Sequence, residues 1–245
     1  LGFVIGPCLN ASGRLETAAL SLELLMCTDE NRAQTVAENL RQLNETRKDM
    51  TVKGTEEAVA LIEREHMEND PVLVVYLPDC HESIAGIIAG RLKEKYHRPS
   101  IVLTDSLEGV KGSGRSIEGY HMFDEMTRVR ELFTRYGGHP MAAGLSMERG
   151  KVEELRRRLN ENCLLTKEDL VPKQCYDAVL PISYAGEQLI RELELLEPFG
   201  KGNEKPLFAA GNLLVKSARI IGKNANVLKL VLADETGAFV EALSF

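Results

Sequence analysis

Two stretches of this 245-residue chain combine residue types and spacings that could hold a phosphate. The first is Gly137-Gly138-His139-Pro140-Met141-Ala142-Ala143-Gly144. Adjacent glycines carry no Cβ, so a ligand can approach their N–H groups, and a turn with positive φ costs them nothing. Free N–H groups in such a turn form a concave anion site of the kind that cradles phosphate. His139 follows as a donor, and Ala142, Ala143 and Gly144 leave room for a ligand. Two readings of these residues stand side by side: a phosphate-binding turn, or a tight loop with a surface histidine.

The second stretch is Lys111-Gly112-Ser113-Gly114-Arg115-Ser116, where small residues would let a guanidinium and two hydroxyls converge on one anion. Arginine offers a planar fork that matches phosphate oxygens. The stretch is no dinucleotide fingerprint, because Ile117 occupies the third glycine position, and Glu118 stands where a nucleophile elbow needs glycine. A polar hairpin edge is the alternative. Arg14, in Asn10-Ala11-Ser12-Gly13-Arg14, is a further phosphate candidate, against a helix-entry loop with a solvated arginine. Cys80-His81 is not expected to form a catalytic couple, since neighbours at a strand end point apart. His66 and His97 read as surface positions, and His121 as a helix cap or surface residue.

Composition bounds the rest. A hydrophobic share of 44% with mixed charge describes an ordinary globular chain, and no apolar run is long enough to span a membrane. Five scattered cysteines without a C-x-x-C pair read as reduced thiols, which with no leader sequence suggests a cytoplasmic protein. The net charge of −7 confines nucleic-acid binding to a local patch. The chain opens without methionine and closes inside a strand-like pattern, so it reads as a piece of a longer protein.

Turn residues over Gly6–Leu15 predict a loop that runs into a helix at Ala18–Met26, with N-cap chemistry at Thr28-Asp29-Glu30. Ala33, Val36, Ala37, Leu40 and Leu43 form one apolar stripe. Polar residues then dominate from Asn44 to Glu57, the mark of a helix bridging two domains. From Pro71 the pattern is α/β: strands at Val72–Leu77, Ile101–Leu103 and around Ala143–Met147, a Gly- and Ser-rich strand or loop at Gly109–Ser116, and helices at Ser83–Tyr96, within Gly119–Phe133 and from Lys151 to about Cys163. Beyond Lys173 come a strand at Tyr176–Ile182, a helix at Gly186–Leu196 and strands at Leu213–Ile221, Val227–Ala233 and Phe239–Phe245. Short strands with tight turns suggest a small barrel.

The glycine block resembles the Gly-Gly-His-x-x-Ala-Ala-Gly signature of the DHH-associated domain, found in the DHH phosphoesterase family. Further blocks, in order, resemble that family's single-strand-specific 5′→3′ DNA exonucleases over essentially the whole chain. They are Pro7-x-x-Asn10-Ala11-x-Gly13-Arg14, Asn44-x-x-Arg47-Lys48, Gly86-Ile87-x-Ala89, Lys111-Gly112-Ser113-x-Arg115-Ser116-Ile117-x-Gly119 and Leu196-Glu197-Pro198-Phe199-Gly200-x-Gly202-Asn203. One departure is Cys80-His81-Glu82-Ser83, where the family often has Trp-His-x-Gly.

The resemblance implies an α/β chain made of the end of a DHH domain (1–46), a long connecting helix (47–69), a DHH-associated α/β domain (70–165) and a partial OB-fold β-barrel (172–245). It implies that Arg14, Ser113 and Arg115 hold the phosphate at the strand's 5′ end, while Gly138 and His139 line the active-site cleft. No Asp-His-His occurs in the chain. Mn²⁺ or Mg²⁺ would therefore be held by the parent's missing N-terminal part, with no metal or catalytic residue expected here and no nuclease activity from the chain alone. The implied partners are single-stranded DNA, a single-strand-binding protein and a helicase, with no membrane. Lys216, Arg219, Lys223 and Lys229 are expected to form a weak electrostatic track, Lys229 facing solvent opposite Leu228, Leu230 and Leu232. Alternatives are a DHH-family phosphodiesterase for short oligonucleotides or cyclic dinucleotides, which would lack the C-terminal third, and a non-catalytic single-strand-binding or replication-scaffold protein.

Overall fold

A computed structural model describes residues 2–222 and 225–244, and its contacts divide the chain into two units, 1–172 and 173–245. The first unit opens with three helices: α1 (Ile5–Leu15), α2 (Ala19–Met26) and α3 (Glu30–Arg64). The loop expected over Gly6–Leu15 is thus helical. Pro7 falls in the first turn, where a missing N–H removes no helix bond. The buried Ser12 hydroxyl then bonds Leu9 O at 3.1 Å and meets Ser21 Oγ at 2.8 Å, tying α1 to α2.

Asp29 caps α3 as its type predicts, its carboxylate accepting from Arg32 N at 2.7 Å. The helix runs unbroken for 35 residues, about 52 Å at 1.5 Å per residue. Its buried positions are Val36, Leu40, Asn44, Thr51, Gly54, Ala58 and Ile62. The packing stripe therefore continues through the segment that looks polar, carried there by small or self-satisfied residues; Ala37, expected on it, is exposed. Thr51 Oγ1 donates to Arg47 O at 2.7 Å, so its hydroxyl is buried with a partner.

Gly54 marks the closest approach of α3 to its neighbour. A Cβ there would lie 2.6 Å from Ile88 Cδ1, and Ile88 is fully buried. Gly54→Leu is expected to destabilise by about 1–3 kcal/mol through overpacking, despite leucine's better helix propensity. A thermal melt at or above that of the parent chain would refute this.

The rest of the unit is a five-stranded sheet with helices on both faces. In chain order it holds β1 (Leu73–Tyr76), α4 (Glu82–Tyr96), β2 (Ser100–Ser106), β3 (Gly109–Arg115), α5 (Met122–Thr127), β4 (Phe133–His139), β5 (Ala142–Met147) and α6 (Val152–Glu161). The strand order is β1-β2-β3-β5-β4; β1 and β2 are parallel across α4, and the other pairs antiparallel. Alternation divides the apolar residues between the faces. Ile101, Leu103, Val110, Leu145 and Met147 pack with Met122, Met126, Leu155 and Leu159 on one side. Leu73, Val75 and Val102 pack with Ile84, Ile88 and Leu92 of α4 and Ala58 and Ile62 of α3 on the other.

In the second unit, β6 (Ala178–Val179) pairs in parallel with β7 (Phe208–Ala209), and α7 spans Glu187–Glu194 between them in sequence. The expected strand over Tyr176–Ile182 thus shortens to two residues. Asn203 Nδ2 donates to Leu196 O at 2.8 Å and Pro198 O at 3.0 Å, which explains the Leu196–Asn203 block as a self-tied turn. β8 (Leu214–Ile221), β9 (Val227–Ala233) and β10 (Phe239–Ser244) form an antiparallel sheet ordered β10-β9-β8. Asp234 closes the β9–β10 hairpin, accepting from Thr236 N and Ala238 N at 2.9 and 3.1 Å. The described strands form no closed barrel; the unit is a partial OB fold.

Candidate functional site

Strand register decides which residues of the two chemical stretches meet. Arg115 lies opposite Ala142, which lies opposite His139. Ser113, Gly144 and Gly137 form the next row, and Lys111, Ser146 and Arg135 the row after that. Residues directly opposite share a face. These nine side-chain positions therefore line the α4 side of the sheet. Helix α4 packs on β2 and β3. Gly137 and Gly144 have no neighbour within ordinary contact of a built Cβ other than Gly112 O at 3.8 Å. The result is an uncovered floor of small residues edged by Ser113, Lys111, Arg115, Arg135 and His139.

The glycine block reaches this floor differently from the expected positive-φ turn. Gly137, Gly138 and His139 are extended residues of edge strand β4, and neither glycine has a positive φ. Only Pro140-Met141 turns the chain, and it is pinned by Ser116 N→Met141 O (2.9 Å) and Met122 N→Pro140 O (3.0 Å). Gly138 is a glycine because a Cβ would strike the partner strand, 2.6 Å from Ala143 Cα. His139 Nδ1 accepts from Met141 N at 3.3 Å. In the neutral ring its proton therefore sits on Nε2, a donor suited to a phosphate oxygen.

On β3 the glycines alternate away from the floor. A Cβ at Gly112 would meet Leu103, and one at Gly114 would lie 3.1 Å from Met122 Sδ, so both serve the core. Ser116 does not join Ser113: it is buried, and its hydroxyl donates to Tyr120 O at 2.6 Å. Arg115 packs on α4, where Gly86 leaves the space; a Cβ there would lie 2.8 Å from Nη2. Arg14 comes from α1 and donates to Ser83 O at 2.8 Å, one turn away on the same helix. Burial holds the Arg115 guanidinium below the usual arginine range, and Arg14's positive charge adds to the effect.

Sequence reasoning assigned no role to Arg47 and Arg91. Arg47 lies partly buried on α3 and bonds only its helix neighbour Asn44, Nη2 to Oδ1 at 2.9 Å. Burial lowers its pKa first, then the charges of Arg14 and Arg91. Among the described residues, none of Arg14, Arg47, Arg91 and Arg115 has a salt bridge to a carboxylate, whereas Arg32, Arg41, Arg149 and Arg156 each do. The available signal was a basic residue set on a buried helical stripe, between Asn44 and Thr51.

Two adjoining hollows lie beside the floor. One of about 250 Å³ is bounded by Ser83, Ser113 and Gly144; the other, about 710 Å³, by His81, Asp105, Leu107, Arg135 and Ser146. Glu82 and Lys111, paired at 2.7 Å, border both. His81 caps α4, Nδ1 accepting from Ser83 N at 3.3 Å. Burial pushes the Cys80 thiol up to about 11, which disfavours its thiolate at neutral pH. Likewise His121 Nδ1 caps α5, accepting from Asp124 N at 3.2 Å. Among the described residues, no group of three or more His, Cys, Asp or Glu is placed to hold a metal ion.

In the second unit Lys216 and Arg219 are exposed on β8. Lys229 faces solvent in part, its side chain 34% exposed, but it is not unpaired: Nζ meets Glu241 Oε1 of β10 at 2.8 Å. Lys223 lies outside the described residues.

Residues 69–164 match the DHHA1 domain family, and residues 176–245 the RecJ OB domain family. The single-stranded-DNA-specific exonuclease RecJ of Bacillus subtilis strain 168 is 36% identical over 96% of this chain and 30% of its own length. For the Escherichia coli K12 enzyme of the same name the figures are 37%, 91% and 40%. The chain thus spans well under half the length of these curated relatives. Crystal structures of RecJ from Thermus thermophilus with Mn²⁺ and with Mg²⁺ superpose with TM-scores of 0.81 and 0.80, at 30% and 29% identity. They match 98% and 99% of this chain and 37% of the crystallised chain in each case.

Proposed function

The chain belongs to the RecJ family, and from that premise we propose that it is the substrate-holding part of a single-stranded-DNA-specific 5′→3′ exonuclease acting in recombination and repair. The observation that carries this reading is that Arg14 lies close enough to act on both Arg47 and Arg115, none of the three ion-paired to a carboxylate among the described residues, beside Ser113 and an uncovered floor of glycines. Guanidinium groups held close together repel one another, and a dianionic terminal phosphate relieves that repulsion. Arg115 offers its fork and Ser113 a hydroxyl from neighbouring positions on β3, and His139 Nε2 can donate from the far side of the floor. Holding the terminal phosphate selects the 5′ end and sets its distance from the bond to be cut.

In this reading the metal chemistry lies outside this chain, where Mn²⁺ or Mg²⁺ would supply hydroxide and offset charge on the scissile phosphate. Purified chain given Mn²⁺ is accordingly expected to release no mononucleotides. Lys216 and Arg219 add a weak, salt-sensitive contact to the strand's backbone. No helix among the described residues is long and apolar enough to cross a membrane, which suits a cytoplasmic enzyme.

The test is anisotropy of 5′-phosphorylated against 5′-hydroxyl oligo-dT on the purified chain. The phosphorylated strand is expected to bind more tightly, and equal affinities would sink the reading. Arg47→Ala should weaken only the phosphorylated strand, by on the order of 1 kcal/mol or about fivefold. That is the scale of a charge acting at roughly 8–10 Å through an effective dielectric near 20, reduced by salt.

A further inference from the structure

We propose that the hollow of about 710 Å³ beside the phosphate floor is a receptor for the nucleoside of the 5′-terminal nucleotide, with the Lys111–Glu82 pair standing between phosphate and nucleoside. The inference rests on the phosphate reading above and adds what lies next to it. Register sets the spacing. The Lys111–Ser146–Arg135 row lies one side-chain repeat beyond the Ser113–Gly144–Gly137 row, about 7 Å at 3.3–3.4 Å per residue. That is the reach from a 5′-phosphate to the sugar and base that carry it.

Charge separates this hollow from the phosphate site. Among the described residues Arg115 feels the charge of Arg14 and has no carboxylate partner, and Glu82 at the shared border is already paired with Lys111. In the hollow Glu82 and Glu108 stand against Lys111 and Arg135. Glu82 neutralises Lys111 at 2.7 Å, and Asp105 is held by Tyr76 and Arg149. A balanced, acid-containing wall suits an uncharged polar group and disfavours a second phosphate. The volume lies within the range of small-molecule sites. Ser146 supplies a hydroxyl from the floor, and Leu107, at the tip of the β2–β3 hairpin, is fully exposed at the rim, an apolar surface that a base would cover.

Calorimetric titration of the chain with thymidine 5′-monophosphate, deoxyribose 5-phosphate and inorganic phosphate tests this. Thymidine monophosphate is expected to bind about tenfold tighter than deoxyribose 5-phosphate, roughly 1.4 kcal/mol. Ser146→Leu, which fills the hollow one row beyond the Ser113–Gly144–Gly137 row that holds the phosphate, and Leu107→Asp, on a fully exposed tip that folding does not need, should each erase that advantage and leave deoxyribose 5-phosphate binding unchanged. Equal affinities, or an advantage that neither variant moves, overturn the nucleoside receptor and leave the phosphate site standing. If none of the three ligands and no 5′-phosphorylated strand binds, both readings fall. A tenfold gain for thymidine 3′,5′-bisphosphate over the monophosphate, lost in Arg135→Ala, would make the hollow a second phosphate site and likewise overturn the inference.

Discussion

Arg115→Ala is expected to weaken binding of 5′-phosphorylated single-stranded DNA by about 10- to 150-fold and to leave 5′-hydroxyl DNA nearly unchanged. The size follows from losing hydrogen bonds to a charged group, about 1.5–3 kcal/mol. Arg115 earns this weight from its setting. It is half-buried against Gly86, bonds only the neighbouring Gly114 O at 2.8 Å, and has no carboxylate partner. Its charge is therefore available to a ligand and already partly desolvated, which strengthens whatever it meets. Arg115→Lys should recover only part of the loss, because an ammonium lacks the planar fork. The measurement is the ratio of the two dissociation constants. An equal loss on both strands would remove Arg115 from phosphate recognition.

The second large effect is expected at Gly138, and it is structural. Gly138→Ala should destabilise the first unit by about 1–3 kcal/mol, roughly 2–12 °C in Tm for a unit of this size. The added methyl meets the backbone of β5, at Ala142 O and Ala143 Cα, and backbone in a paired strand cannot turn aside as a side chain can. The β4–β5 hairpin would have to open, moving His139 with it. Gly137→Ala provides the contrast. A Cβ there has nothing within 4 Å, so stability should hold while the methyl intrudes on the floor and weakens phosphate binding. Differential scanning calorimetry of the two variants separates the roles, and matching melting temperatures would show that the hairpin yields freely.

Much of this was legible in residue order. Asp29 announced the start of α3, apolar runs marked β1 and β2, and the alternation in Val227–Ala233 marked β9. These features are local: capping, periodicity and turn chemistry act within a few residues. The blocks at Arg14, Lys111–Gly119 and Gly137–Gly144 likewise displayed residue types suited to an anion.

What failed in the reading failed for a common reason. Asn44, Thr51 and Gly54 fall in the mostly polar part of the long helix, yet they are buried, because a close neighbour demands a small residue and the hydroxyl and amide find partners in place. Gly137-Gly138 looked like a turn, yet both are extended, one clearing the cleft and the other clearing β5. Lys229 looked free until Glu241 arrived from the next strand. Residue order by itself determined the elements, their sequence along the chain and the chemical types available for an anion. Only the tertiary structure decided which side of each strand lines the open floor, which glycines serve packing instead, and that among the described residues Arg14, Arg47, Arg91 and Arg115 have no carboxylate partner. Those outcomes depend on contacts between residues up to about a hundred positions apart, and no local pattern encodes the distance or the charge balance that such contacts create.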